Sequence, residues 1–230
     1  MRVIKYIILI LVLISLIGLR ECTNIGSPKT SSRQKELEMV NAMRDYLSQK
    51  YGTFNYKIEG FDSSGWDHEY DLFDLSVEMN GIEESFTVQR YKTESGYIFE
   101  DNYFGLIIRP SFEEKVSKLA SEYFGSMHVY AHLTQNYPDN LTKESQIDDL
   151  LALDNLKSIT IFVIVEEDFN SIEEFTAIAE SFVSKWAEQR IPSMVRVIYL
   201  SKETFANTDR SNVTSVLGDI KLAEYNEIVK

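Results

Sequence analysis

Cysteine, histidine and proline are scarce: the 230 residues hold one, three and four of them. A single thiol, Cys22, closes no intramolecular disulfide and builds no cysteine zinc site, so the folded body must hold itself by packing. No Gly-x-Ser-x-Gly elbow and no glycine-rich phosphate loop occurs, which removes the familiar serine-hydrolase and nucleotide-binding machineries. Positive charge is short as well, 23 basic residues against 36 acidic ones. A body of that sign repels phosphate backbones, so nucleic acid is not an expected partner. No cofactor and no metal is expected. What is present is ample apolar material, 44% of the chain with 12% aromatic, enough for a core of large side chains.

Long apolar runs are missing too, with one exception. Met1, Arg2 and Lys5 precede Tyr6 to Leu19, which is unbroken and ends at Arg20, Glu21 and Cys22. A positive start followed by roughly 7 to 15 apolar residues is the pattern of a secretory signal. A stable span needs about 20, so residues 1–22 are expected to be a signal peptide or a short membrane anchor. The basic flank stays on the cytoplasmic side. The rest is therefore expected at the extracytoplasmic face of the cell membrane, with secretion as the second choice. Cys22, directly after the run, resembles the lipidated cysteine of bacterial lipoproteins. That resemblance implies a lipid-bearing mature N-terminus, although Leu19, Arg20 and Glu21 replace the small residues of that family's motif. An uncleaved anchor is the competing reading. The leader holds three of the bases and one of the acids, which leaves the exported part with 20 against 35.

Residues 23–33 are polar and rich in breakers, as a tether is. Ser31 with Gln34 matches a capping box, and Leu37, Val40, Met43, Leu47 and Tyr51 recur at helical steps until Gly52. Phe54, Tyr56 and Ile58 then alternate as a strand. A second strand places Phe73, Leu75, Val77 and Met79 on one face, Asn80-Gly81 supplies a tight hairpin turn, and Phe86 and Val88 lie on the return. After a turn at residues 93–96, a fourth strand is predicted over 97–108. A second helix is predicted from Pro110-Ser111, with Val116, Leu119, Ala120 and Phe124 on one face. Met127 to Leu133 alternates as a strand, 145–153 is a short helix, and Ile159 to Val165 is apolar enough to be a central strand covered on both faces. Ser171 with Glu174 caps a helix carrying Ile172, Phe175, Ile178, Ala179, Phe182 and Trp186. Met194 to Leu200 is a strand, and Leu222 to Val229 is assigned as a frayed helix.

The predicted fold class is therefore α+β: an N-terminal helix packed on a four-stranded antiparallel meander, then a β-α-β-α-β segment forming a second small α/β sheet with parallel pairing. The expected domains are residues 34–109 and 110–208, with 209–230 a C-terminal tail. Helix plus meander is the element order of cystatin-like and PepSY-like modules. Lys50-Tyr51-Gly52-Thr53-Phe54, Phe86-Thr87-Val88 and Asp101-Asn102-Tyr103 resemble exported domains of uncharacterised, lipoprotein-like cell-envelope proteins of Gram-positive bacteria. The resemblance spans about residues 33–125; it implies location and fold and carries no catalytic residues.

The candidate ligand-binding residues are Trp66, Asp67, His68, Glu69 and Asp71, carboxylates and a histidine beside an aromatic, as a cation or sugar site requires. The bland alternative is a solvated acidic loop. His128 and His132 share the i,i+4 spacing of a helical metal pair, but in a strand they stand about 13 Å apart, too far for one ion. Glu166-Glu167-Asp168 follows the central strand and reads as dipole compensation for the next helix. Asp101-Asn102-Tyr103 reads as structural. The leading functional expectation is a non-catalytic, membrane-tethered module that binds an envelope protein through a sheet face or edge. The alternatives are an envelope hydrolase using carboxylates of residues 67–74, and an inhibitor or immunity-type protein.

Overall fold

The structure is a computed structural model that describes residues 32–65, 69–166, 169–215 and 221–230. The chain divides into two units, Met1–Arg44 and Asp45–Lys230. Helix α1, Ser32–Tyr51, supplies the described part of the first unit and continues into the second. It stops at Gly52, whose φ of 76° no β-carbon opposes and whose N–H returns to the Ser48 carbonyl at 2.9 Å. Leu37 of the predicted stripe is 59% exposed, while Leu47 and Tyr51 are buried. Ser31, the expected cap, lies outside the described residues, as does the leader.

The fold is α+β. After α1, strands β1 (Lys57–Asp62), β2 (Tyr70–Met79), β3 (Ile82–Thr93) and β4 (Gly96–Asp101) form an antiparallel sheet in sequence order. One of its tight turns is the one the sequence marks: Asn80 and Gly81 have φ of 54° and 79°, and Met79 pairs with Ile82 across them. The alternation of β2 buries Asp71, Phe73, Leu75 and Val77 on one face, opposite Arg90, Val88 and Phe86 of β3. Strand β1 begins later than the run Phe54-Tyr56-Ile58 suggests. Phe54 lies outside the ladder because its ring stacks on Tyr103 at 4.6 Å and meets Tyr51 at 6.4 Å.

The segment after β4 departs from the expected strand over 97–108. Strand β4 ends at Asp101 and helix α2 runs Tyr103–Ala120, with Pro110 in its interior. An interior proline costs about 3 kcal/mol. Phe104, Ile108, Phe112, Val116 and Ala120 recur every fourth residue and are all buried, and each large one contributes about 1.5–3 kcal/mol. The buried stripe outweighs the break.

Strands β5 (Met127–His132), β6 (Ile159–Glu166), β7 (Ser193–Leu200) and β8 (Ala223–Val229) form the second sheet in that order. Only β6 and β7 are parallel; β5 and β8 pair antiparallel at the two edges. Within the predicted frayed helix Leu222 to Val229, Ala223–Val229 is thus a strand, and residues 209–230 contain it. The helical-looking apolar residues Leu222 and Ile228 are 45% and 66% exposed, so backbone pairing with β7 decides its conformation. Helix α3 (Ile147–Leu151) precedes β6 and carries a Gln146–Asp149 capping box. Helix α4 (Ile172–Ala187) is capped as expected, Ser171 Oγ accepting from the Glu174 amide at 3.2 Å. Phe175 of α4 stacks on Tyr199 and Trp186 donates to Ser193 Oγ at 2.8 Å, so α4 covers the face of β7 that holds those residues. On the opposite face Phe162, Ile164, Ile198, Leu200 and Val213 form a smaller cluster with Tyr130 and Phe205, the latter on the short helix α5 (Lys202–Ala206).

Candidate functional site

Two of the polar networks among the described residues of 45–230 differ in how fully their hydrogen-bonding capacity is used. The first centres on Asp101, the last residue of β4. Its Oδ2 accepts from Tyr46 at 2.5 Å and from the Lys50 ammonium at 2.7 Å; its Oδ1 accepts from Tyr51 and from the Tyr103 amide, both at 2.8 Å. Lys50 completes itself with Tyr46 Oη at 3.0 Å and the Tyr137 carbonyl at 3.3 Å. Both charges are buried, and burial without partners would cost several kcal/mol each. Here every lone pair and every N–H has a partner. Burial, followed by the Asp101 charge, pushes the Tyr46 and Tyr51 hydroxyls well above the usual tyrosine range. The segments that carried the resemblance, around Lys50, Phe86 and Asp101, meet here: the Tyr103 ring packs on Phe54 at 4.6 Å, Phe86 at 4.8 Å and Tyr51 at 5.0 Å. This network is architecture: it ties α1, β4, the start of α2 and residue 137 to one carboxylate.

The second network lines a cleft of about 230 Å³ bounded by Glu84, Asn102, Gly105, Arg109, His132 and Arg210, among others. Its floor is narrow because Gly105 of α2 backs onto the next segment; a β-carbon there would stand 2.2 Å from the Leu133 carbonyl oxygen. Arg109 and Glu113, one turn apart on α2, pair outward in different directions. Arg109 Nη2 reaches Glu84 at 2.5 Å, and Glu113 takes Arg210 Nη2 on both oxygens at 2.5 and 2.6 Å while also accepting the Ala131 amide at 2.7 Å. Arg210 Nη1 is buried with no protein partner. His132 faces this set, and burial, then the Arg210 and Arg109 charges, lowers its pKa, so the ring is neutral near pH 7. A second hollow of about 200 Å³ shares His132, Leu133 and Thr134 and adds Tyr137, whose hydroxyl is likewise buried without a partner.

Of the residues singled out from the sequence, Asn102 and His132 line the cleft. Cys22, Trp66, Asp67 and His68 lie outside the described residues. Glu69 is exposed. Asp71 points into the first sheet, where Oδ2 takes Arg90 Nε at 2.8 Å and Nη2 at 2.5 Å and Oδ1 takes the Ser64 amide at 3.0 Å. His128 stacks on Phe205 at 4.2 Å while His132 meets Phe162 edge-on at 5.1 Å, so the two imidazoles pack against different neighbours on one strand. Glu166 pairs with Lys202 at 3.5 Å, and Glu167 and Asp168 lie outside the described residues. Among the described residues no cluster of three metal-ligating side chains occurs. Arg109 and Arg210 of the cleft, Glu113 beside it and Tyr137 of the second hollow carry no signal singled out in the sequence. The i,i+4 pair Arg109 and Glu113 was a local signal, whereas Arg210 lies 97 positions from Glu113 and announces nothing by itself.

The four sheet edges differ as well. Strand β1 carries a bulge between Ile58 and Gly60 and the charges Lys57, Glu59 and Asp62. The end of β4 is engaged by a bridge between Asp101 and Tyr137. Strand β5 gives its Ala131 amide to Glu113. Strand β8 exposes Asn226, Glu227 and Ile228 beside a shallow, largely apolar hollow of about 440 Å³ that also involves Met194 and Arg196. No family model, curated protein or solved structure matches the chain.

Proposed function

We propose that the protein is a membrane-tethered, extracytoplasmic binding module that acts by contact and not by bond chemistry, accepting an extended segment of an envelope protein along β8. The leader with its basic flank and the polar residues 23–33 support the tether and the location. The contrast between edges supports the mode of binding. Bulges, charges and covering contacts are the devices that keep a sheet edge from pairing: β1 carries a bulge, β4 a bridge at its end and β5 a side chain on its Ala131 amide, whereas β8 carries the charges Glu224 and Glu227. The observation that carries the reading is Ile228, 66% exposed on an edge strand, with Met194 beside it in the same hollow. An added strand would hydrogen-bond to the β8 backbone and seat an apolar side chain there. The exposed Glu227 and the acidic body favour a partner segment that carries a basic residue.

The test is a photo-reactive amino acid introduced at Ile228 in intact cells, with Lys57 on β1 as the control position. One reproducible protein adduct from Ile228 and none from Lys57 is expected. Equal labelling from both positions removes the docking assignment, and full-length protein found dissolved in the cytosol removes the location.

A further inference from the structure

Beyond that reading, and at the opposite edge of the second sheet, we infer that the cleft bounded by Glu84, Asn102, Arg109, His132 and Arg210 is a binding site for a small carboxylate. Buried polar side-chain atoms in folded proteins nearly always have partners. Among the described residues two lack one, Arg210 Nη1 and the Tyr137 hydroxyl, and both residues belong to the hollows that meet at His132, Leu133 and Thr134. Arg210 Nη1 is a donor only, and the Tyr137 hydroxyl can donate as well as accept.

The two carboxylates beside the guanidiniums are engaged by donors. Glu113 uses both oxygens on Arg210 and one also on Ala131, and Glu84 accepts from Arg109. Asn102 Oδ1 accepts the Thr87 amide at 2.7 Å, which leaves its NH₂ as a further donor. The buried atoms left without a partner therefore offer an N–H and an O–H, which a ligand carrying acceptors complements. The two guanidiniums are each offset by one glutamate, so the local charge is near zero. A monoanion adds one negative charge there, whereas a phosphate dianion would bring a second close to Glu84 and Glu113. A guanidinium edge is also the group best shaped for a carboxylate. The volume of about 230 Å³ admits a group of amino-acid size.

His132 makes the occupancy readable. It is faced by Arg109 and Glu113 of α2, Glu84 of β3 and Arg210 of the segment before β8. A carboxylate seated among them favours the imidazolium, so binding raises the His132 pKa and tightens as pH falls toward the titration of the ring.

The experiment is an NMR titration of the full-length protein, reading the His132 ring signals, with acetate, N-acetyl-dialanine, its C-terminal amide and inorganic phosphate. Saturable shifts with a carboxylate, at least tenfold weaker binding of the amide, and a rise in the His132 pKa on saturation are expected. Acetate alone marks a free small acid as the ligand; tighter binding of N-acetyl-dialanine marks a peptide C-terminus. Arg210→Gln should lower affinity at least tenfold, and Arg210→Lys, which keeps the charge without the fork, should lower it severalfold. Equal binding of carboxylate and amide, phosphate binding more tightly than either carboxylate, or no His132 response to any of them overturns the assignment. Since β8 plays no part in this cleft, failure here leaves crosslinking at Ile228 as an independent result.

Discussion

The Asp101 network and the Arg210 cleft are built from the same materials, yet they teach opposite lessons. Around Asp101 the carboxylate has four donors and Lys50 has three acceptors, so nothing is left over to meet a ligand. Around Arg210 a guanidinium nitrogen is left without a protein partner, and a neutral imidazole stands beside it. A buried charge cluster that balances its own hydrogen bonds holds the fold together. One that does not is available for recognition.

Breaking the first network should cost the most. Asp101→Ala leaves Lys50 buried and unpaired, and a loss of about 3–5 kcal/mol is expected in urea unfolding; a loss under 1 kcal/mol would make the two networks equivalent. Gly105→Ala forces a β-carbon onto the Leu133 carbonyl, and overpacking of this kind costs about 1–3 kcal/mol, readable as a lower unfolding midpoint. In the second network Arg210→Gln removes hydrogen bonds to a charged group that keeps its Ala131 donor, for about 1.5–3 kcal/mol, with the native circular dichroism retained.

Two pH limbs separate the networks further. Tyr46 and Tyr51 keep their protons in the folded state above the ordinary value of 10.0, while the unfolded chain loses them there. Stability is therefore full below pH 10 and declines above it, and absorbance at 295 nm should show these two phenols ionising only as the protein unfolds. His132 has the opposite sign. Its folded pKa lies below 6.5, so the stability it contributes is present above that pH and is lost as pH falls through the window beneath it. His132→Gln should flatten that limb. The smallest effect belongs to an exposed pair outside both networks: Lys57→Ala, which removes a contact to Glu83 with both side chains solvated, should leave the unfolding midpoint unchanged.

Legibility in the sequence followed the range of the interaction. The Asn80-Gly81 turn and the Ser171–Glu174 cap are decided within four residues and were visible. The apolar run Ile159 to Val165 announced a central strand because burial on both faces leaves no polar alternation. Helix α2 was partly hidden: Pro110 draws the eye as a start, whereas the four-residue recurrence from Phe104 to Ala120 runs straight through it. Strand β8 reads as a helix because Leu222, just before it, and Tyr225 and Ile228 within it fall at helical steps, and an edge strand needs little apolar patterning to be held by its neighbour. The acidic stretch before β2 attracted attention through composition, but Asp71 turned out to be committed to Arg90, a partner 19 residues away.

What the sequence determined alone is most of the elements, the α+β class and the excess of negative charge, since periodicity, turn chemistry and composition act locally or simply add. What only the tertiary structure decided is which charges neutralise one another. Lys50 and Asp101 are 51 residues apart and Glu113 and Arg210 are 97. A carboxylate takes whichever donor the packed backbone brings within 3 Å, and no local pattern encodes that choice.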